Sequence, residues 1–183
     1  DLHEVGIVAR ILKTLKLPDG NMTAMTQGLR RAKLQKVVRS SPHLVVRVKE
    51  LVEIPAQGKK AESLARLLQQ QLRRLAEMQD QLDPGFATTL LNLEDPSQLA
   101  DIAGGVVRKV EDRQRVLAAA DVEQRLQIAL ELVMSEVELA ELDKKILHEI
   151  RSKAEKAQKD YFLKEQLKLI RRELGDEKDP RGQ

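Results

Sequence analysis

The sequence predicts an α+β chain: an incomplete antiparallel β-sheet subdomain, then an α-helical bundle ending in a very long projecting helix. Three observations carry that prediction. β-branched residues and turn signals crowd the first 58 of 183 residues. From Lys59 the composition switches to Ala, Leu, Gln, Arg and Glu, all good helix formers. From Asp121 onward the apolar residues keep helical spacing with no Pro or Gly until Gly175. The expected division is therefore 1–58, a partial β subdomain lacking its N-terminal strands; 59–150, a helical bundle; and 151–183, an extension of the long helix with a polar tail.

In the β region, Val5, Ile7, Ala9 and Ile11 alternate with Gly6, Val8 and Arg10. Pro18-Asp19-Gly20-Asn21 presets a tight reversal, and a second strand follows over Met22 to Gln27. Val37-Val38 and Leu44 to Ile54 supply further extended segments, with Ser40-Ser41-Pro42 as the break. Pro55 and Gly58 close the region. Three or four strands with no covering helix among them leave open edges and one unburied face, so the pattern leads us to expect further strands before this point.

In the helical region, Leu64, Leu67, Leu68, Leu72, Leu75 and Ala76 form one apolar stripe. Asp83-Pro84 and Asp95-Pro96 are two helix starts of the same design, in which Asp caps and Pro takes the first helical position. They predict short helices over 84–92 and 96–104, the second broken by Gly104-Gly105. Another short helix is predicted over Glu111 to Ala119. Asp121 then caps the long helix. Leu126, Leu130, Val133, Val137 and Ala140 follow a 4-3-4-3 spacing, and Leu132, Leu139 and Ile146 add a second stripe, which predicts a wide buried face.

From Arg151 to Asp160 the apolar residues are Ala154 and Ala157 alone. A helix continuous from Val122 to Leu174 is about 80 Å long, against a diameter of about 30–40 Å for a domain of this size, so it must project as an arm. Tyr161, Phe162, Leu163, Leu167, Ile170 and Leu174 then need a partner, another subunit or a downstream domain, unless a kink near Arg151 folds the end back.

Composition narrows the chemistry. Aromatic residues are 2% of the chain, Phe86, Tyr161 and Phe162, which argues against a base-stacking nucleic-acid module and a deep ligand pocket. With no Cys and three scattered histidines (His3, His43, His148), no disulfide or recognisable metal-ligand pattern is present. No apolar run reaches the roughly 18 residues of a membrane helix, and no signal-peptide pattern opens the chain, so a cytoplasmic protein without membrane contact is expected. The sequence holds no G-x-x-x-x-G-K-[ST] loop and no G-x-S-x-G elbow. Carboxylate pairs such as Glu111-Asp112 and Glu136/Glu138 read as solvated helix faces. No catalytic constellation, cofactor site or metal site is expected.

What remains is binding. Residues 1–60 carry 12 Lys+Arg against 5 Asp+Glu, a balance of +7 within a net charge of +3. That basic half suits nucleic acid, through Arg30, Arg31, Lys33, Lys36, Arg39 and Arg47, or acidic protein segments, or is simply a solvated face. Leu15, Leu17, Met22 and Met25 flank the hairpin turn as an adaptable apolar patch. Either they capture extended, unfolded peptide, or they pack into further strands.

Several stretches resemble the N-terminal domain of the bacterial Lon protease family. They are Asp1-Leu2 through Val5-Gly6, Ile11-Leu12, Leu15-Lys16-Leu17-Pro18-Asp19-Gly20 and Gly28-Leu29-Arg30-Arg31-Ala32. They continue, in the family's order, through Leu91-Asn92-Leu93-Glu94-Asp95-Pro96, Leu99-Ala100-Asp101 and Asp121-Val122-Glu123-Gln124-Arg125-Leu126. Tyr161-Phe162-Leu163-Lys164-Glu165-Gln166-Leu167-Lys168 and Arg172-Glu173-Leu174-Gly175 complete the series. The resemblance implies one region of a homohexameric, ATP-dependent serine protease with an AAA+ ATPase module and a Ser-Lys dyad, using ATP and Mg2+. Such a protease degrades misfolded, damaged and short-lived regulatory proteins. The N-terminal region is expected to recognise unfolded substrates and help organise the hexamer, its long helix leading toward the ATPase ring. No catalytic or nucleotide-binding residue carries over to this sequence, so no chemistry is expected here. The other readings are a nucleic-acid-binding module, with weak DNA binding from the basic half, and a coiled-coil scaffold.

Overall fold

The computed structural model describes residues 2–78, 85, 90 and 93–174. Three strands, β1 (Val5–Lys16), β2 (Met22–Arg39) and β3 (Val45–Glu50), form an antiparallel sheet in the order β1-β2-β3. Four helices follow among the described elements: α1 (Gly58–Met78), α2 (Pro96–Val106), α3 (Val110–Ala118) and α4 (Val122–Glu173). The chain divides into two compact units, Asp1–Glu138 and Leu139–Gln183.

The hairpin turn forms where Pro and Asp-Gly preset it. Gly20 adopts a φ of 87°, closed to most L side chains, and its N–H donates to Leu17 O at 3.0 Å. Asn21 donates its backbone N–H to Asp19 Oδ1 at 3.0 Å and its side-chain amide to Oδ2 at 2.8 Å. Those bonds hold the Asp19 carboxyl below its ordinary pKa.

The strands are longer than the alternation indicates. Met22 to Gln27 and Val37-Val38 belong to one 18-residue strand, and β1 runs on to Lys16. Bulges explain the missed continuity: the β1–β2 register shifts at Val8/Ala9 and Ile11/Lys13, and the β2–β3 register at Leu34/Lys36 and Val37/Arg39. Each shift interrupts the period-2 pattern without ending the ladder. β3 stops at Glu50 instead of reaching Ile54. Ile54 instead makes a parallel bridge to Asp121, donating to Ala120 O and accepting from Val122 N, both at 3.0 Å.

The core of the first unit is helical, and it includes Leu68, Leu72 and Leu75 of α1, Leu99, Ala100 and Ala103 of α2, Val116 of α3, and Leu126, Val133 and Val137 of α4. Leu67 does not join the α1 stripe and is exposed. Asp95 and Asp121 cap as expected, accepting from Ser97 N and Gln124 N at 3.0 Å each. Such a cap is worth about 1 kcal/mol. The helix expected from Asp83-Pro84 falls largely outside the described residues, as does the stop at Gly175.

Gly104-Gly105 does not break α2, which continues to Val106. Gly104 is buried against Val116, and a Cβ there would stand 3.1 Å from Val116 Cγ1. The glycine serves close helix packing instead of a turn. Nor does the second stripe of α4 make a wide buried face: Leu139 and Ile146 are exposed. No break is recorded at Arg151 in α4. Glu136 is not a solvated carboxylate. It is buried, accepts from Arg108 N at 2.9 Å and pairs with Arg108 Nε at 3.0 Å, closing the link between α2 and α3.

Candidate functional site

Two features stand out in the first unit: a polar clasp built on two buried arginines and an exposed apolar sheet face. The clasp joins β2 to the helices. Arg31, on β2, donates Nε–H to Leu117 O at 3.0 Å and engages Glu53 with Nη1 and Asp101 with Nη2. Arg125, in the first turn of α4, is fully buried. Its Nε–H donates to Ala119 O at 2.9 Å, and its Nη1 reaches Glu53 Oε1 and Ser97 Oγ, both at 3.0 Å. Ser97 and Asp101 lie one helical turn apart on α2, so both meet the arginines from one face.

Partial burial raises the pKa of Glu53, but the Ser97 hydroxyl and the two guanidinium groups more than offset this, leaving it below the ordinary value. A carboxylate so held is a poor proton acceptor. Ser97 donates to Glu53 Oε2 at 2.8 Å, so that pair lacks a competent general base. The clasp ties the sheet to the helices. A cleft of about 530 Å³ opens beside it, lined by Leu29, Arg31, Leu51, Glu53, Gln98 and Asp101 among others.

This geometry corrects one expectation. Of the six basic residues assigned to a nucleic-acid surface, Arg31 is buried and fully engaged. Arg30 stands 3.8 Å from Glu50, and Lys33 stands 3.6 Å from Glu4.

The apolar face follows from register. Residues directly opposite in an antiparallel pair share a side of the pleat, and alternate residues along a strand share it too. Gly6 opposes Ala32, Val8 opposes Arg30, and Val48 opposes Leu34. Gly6, Val8, Ala32, Leu34 and Val48, with Leu44 and Val46, line an apolar groove of about 220 Å³. Leu34, Leu44, Val46 and Val48 were not singled out from the sequence. The available signal was the strict alternation of Val46 and Val48 with Arg47 and Lys49.

The hairpin-tip residues are exposed, Met22 most of all at 71%. The register divides them. Leu15 opposes Thr23 and Lys13 opposes Met25, which puts Leu15 and Met25 on one side of the pleat. Counting through the bulges, that side is the one carrying Val8, Ala32 and Leu34. Met22 opposes Lys16 on the other side, and Leu17 sits at the root of the turn.

In the second unit, Tyr161, Phe162, Leu163, Leu167, Ile170 and Leu174 are all exposed. At 3.6 residues per turn, Leu163, Leu167 and Ile170 fall in one stripe of α4, and Leu174, one residue past its end, donates its N–H to Ile170 O at 3.0 Å. Phe162 joins Leu169 on a neighbouring stripe, and Tyr161 lies on the far side. Lys168 pairs with Glu165 at 2.7 Å, and this bond raises the lysine pKa.

Among the described residues, no helix is long and apolar enough to cross a membrane. The family model of the "ATP-dependent protease La (LON) substrate-binding domain" matches residues 1–135. A Lon protease of Heliobacterium modesticaldum is 36% identical over 180 residues, covering 98% of this chain and 22% of that protein. One from Escherichia coli strain K12 is 34% identical over 180 residues, again 98% of this chain and 23% of that protein. The solved N-terminal domain of Mycobacterium avium complex Lon protease superposes with a TM-score of 0.60 at 26% identity, over 72% of this chain and 70% of that one. The chain thus spans less than a quarter of the length of these full-length relatives. The chain belongs to the Lon family, and its residues 1–135 match the family's substrate-binding domain.

Proposed function

We propose that this chain is the substrate-recognition and assembly region of an ATP-dependent serine protease, and that it captures unfolded polypeptide on the apolar face of its sheet. The observation that carries the reading is the exposed groove of Leu34, Leu44, Val46 and Val48 beside the outer edge of β3. An extended peptide adding to that edge gains main-chain hydrogen bonds while alternate side chains enter the groove. Each apolar side chain buried contributes up to about 1.5–3 kcal/mol, offset by the cost of ordering the peptide. The result is weak, reversible binding, suited to a site that must release its client. Leu15 and Met25 extend the same side of the sheet toward the hairpin tip, with Leu17 and Met22 beside them.

In this reading residues 151–183 lead toward an ATPase module, and the stripe Leu163–Leu167–Ile170, with Leu174, Tyr161 and Phe162, meets that module or a second subunit. ATP and Mg2+ act in the longer polypeptide, as does the Ser-Lys dyad, within a cytoplasmic homohexamer. Its clients are misfolded, damaged and short-lived regulatory proteins.

The test is binding of a fluorescent, permanently unfolded polypeptide to the chain and to a Leu34→Ser/Val48→Ser variant. Dissociation constants should rise about tenfold, roughly 1.4 kcal/mol, with the melting curve retained. Unchanged binding in a folded variant would remove the groove from the proposal.

A further inference from the structure

In the β2–β3 pair, the register that gathers Leu34, Val46 and Val48 on one side of the sheet gathers cations on the other. Lys33 opposes Lys49, Lys36 opposes Arg47, and Arg39 opposes Val45. Lys33, Lys36 and Arg39 on β2 therefore share a side with Arg47 and Lys49 on β3, and all five are exposed. Like charges directly opposite in a sheet are destabilising. Here two such pairs stand side by side in a chain with 29 acidic residues available to neutralise them. Lys33 has Glu4 at 3.6 Å, and Arg39 Nη2 lies 2.9 Å from His43 Nε2. Among the described residues, no carboxylate stands within ion-pair distance of Lys36, Arg47 or Lys49.

We propose that this basic face binds acidic polypeptide segments in extended conformation. Arg47 and Lys49 alternate on β3 and so repeat about every 6.8 Å, as alternate carboxylates of an extended peptide do, while the register shifts of β2 bring Lys36 and Lys33 opposite them. Single-stranded nucleic acid is the poorer fit. Its binding combines a positively charged groove with aromatic rings on which bases stack. The strands β1, β2 and β3 contain no aromatic residue. The proposal is independent of capture on the apolar face, since the two sets of side chains point to opposite sides.

The experiment measures binding of labelled oligoglutamate, a Gly/Ser peptide of equal length and a thymidine oligonucleotide of equal charge to the whole chain at about 0.15 M salt. Oligoglutamate should bind about tenfold more tightly than the neutral peptide and more tightly than the oligonucleotide. A Lys36→Glu/Arg47→Glu variant should lose that preference and acquire one for oligolysine, while its capture of the unfolded apolar polypeptide stays unchanged. Should charge reversal impair folding, as read by circular dichroism, Lys36→Gln/Arg47→Gln replaces it and should lose the oligoglutamate preference alone. Three results would each overturn the proposal: equal binding of acidic and neutral peptides, tighter binding of the oligonucleotide, or full oligoglutamate affinity in the folded variant.

Discussion

Arg31 and Arg125 converge on a single carboxylate oxygen, Glu53 Oε1, one from the central strand of the sheet and the other from the first turn of the long helix. Two cations share an anion because Glu53 sits on the short connection after β3, between the two layers. Asp101 supplies the second negative charge, 3.4 Å from Arg125 Nη1. The sheet has little apolar contact with the helices, since Val5 and Ala32 are its buried apolar residues. The clasp, together with the bond from Gln114 Nε2 to Val5 O at 2.8 Å, thus sets the angle at which both sheet faces are presented.

Removing the fully buried Arg125 guanidinium leaves a cavity, strips Ala119 O of its donor and leaves Glu53 and Asp101 to Arg31 alone. Arg125→Ala should destabilise the chain by about 3–5 kcal/mol, measured by urea denaturation. Arg125→Lys should recover little of this, because an ammonium cannot reach Ala119 O and Glu53 together in the fork geometry of arginine.

The clasp also predicts acid sensitivity. The folded-state pKa of Glu53 lies below the ordinary 4.5, so its stabilisation is complete above that value and fades as pH falls through the folded pKa. Thermal melts of the native chain and of Glu53→Gln should differ most near neutral pH and converge in acid. A gap that widened on acidification would contradict this assignment.

Adjacent glycines should respond in opposite directions. At Gly105 nothing lies within 4 Å of an added Cβ, so Gly105→Ala should stabilise α2 by about 0.5–1 kcal/mol. At Gly104 the added methyl meets the branched side chain of Val116 at 3.1 Å, so Gly104→Ala should lower the melting temperature.

The α1 stripe offers a third contrast. Leu72→Ala should cost about 2–5 kcal/mol, because Leu72 is completely buried. Leu67 shares the helical spacing but is 41% exposed, so Leu67→Ala should cost well under half as much by the same denaturation measurement.

Local signals were enough to find most elements. Asp95-Pro96 and Asp121 mark helix starts because capping is satisfied within a few residues, and Pro18-Asp19-Gly20 marks the hairpin for the same reason. Family membership was also legible, because its motifs run in order along the chain. Strand length was not legible, since each bulge shifts the alternation by one residue and makes a continuous ladder look like fragments. The roles of Gly104 and Glu136 were equally hidden, because each depends on a neighbour brought close by chain reversal, Val116 in one case and Arg108 in the other.

The sequence by itself determined the α+β order, the helix starts, the basic bias of the first 60 residues and the absence of recognised catalytic motifs. Tertiary structure alone decided which arginine is solvent-facing and which is buried, and how Leu34, Val46 and Val48 on one side of the β2–β3 pair are set against Lys33, Lys36, Arg47 and Lys49 on the other. The physical reason is that a side chain's environment is set by the side of the pleat it takes and by what the fold packs against that side. Arg30 and Arg31 are neighbours in sequence with the same charge, yet the pleat turns one toward Glu50 and the other into the clasp.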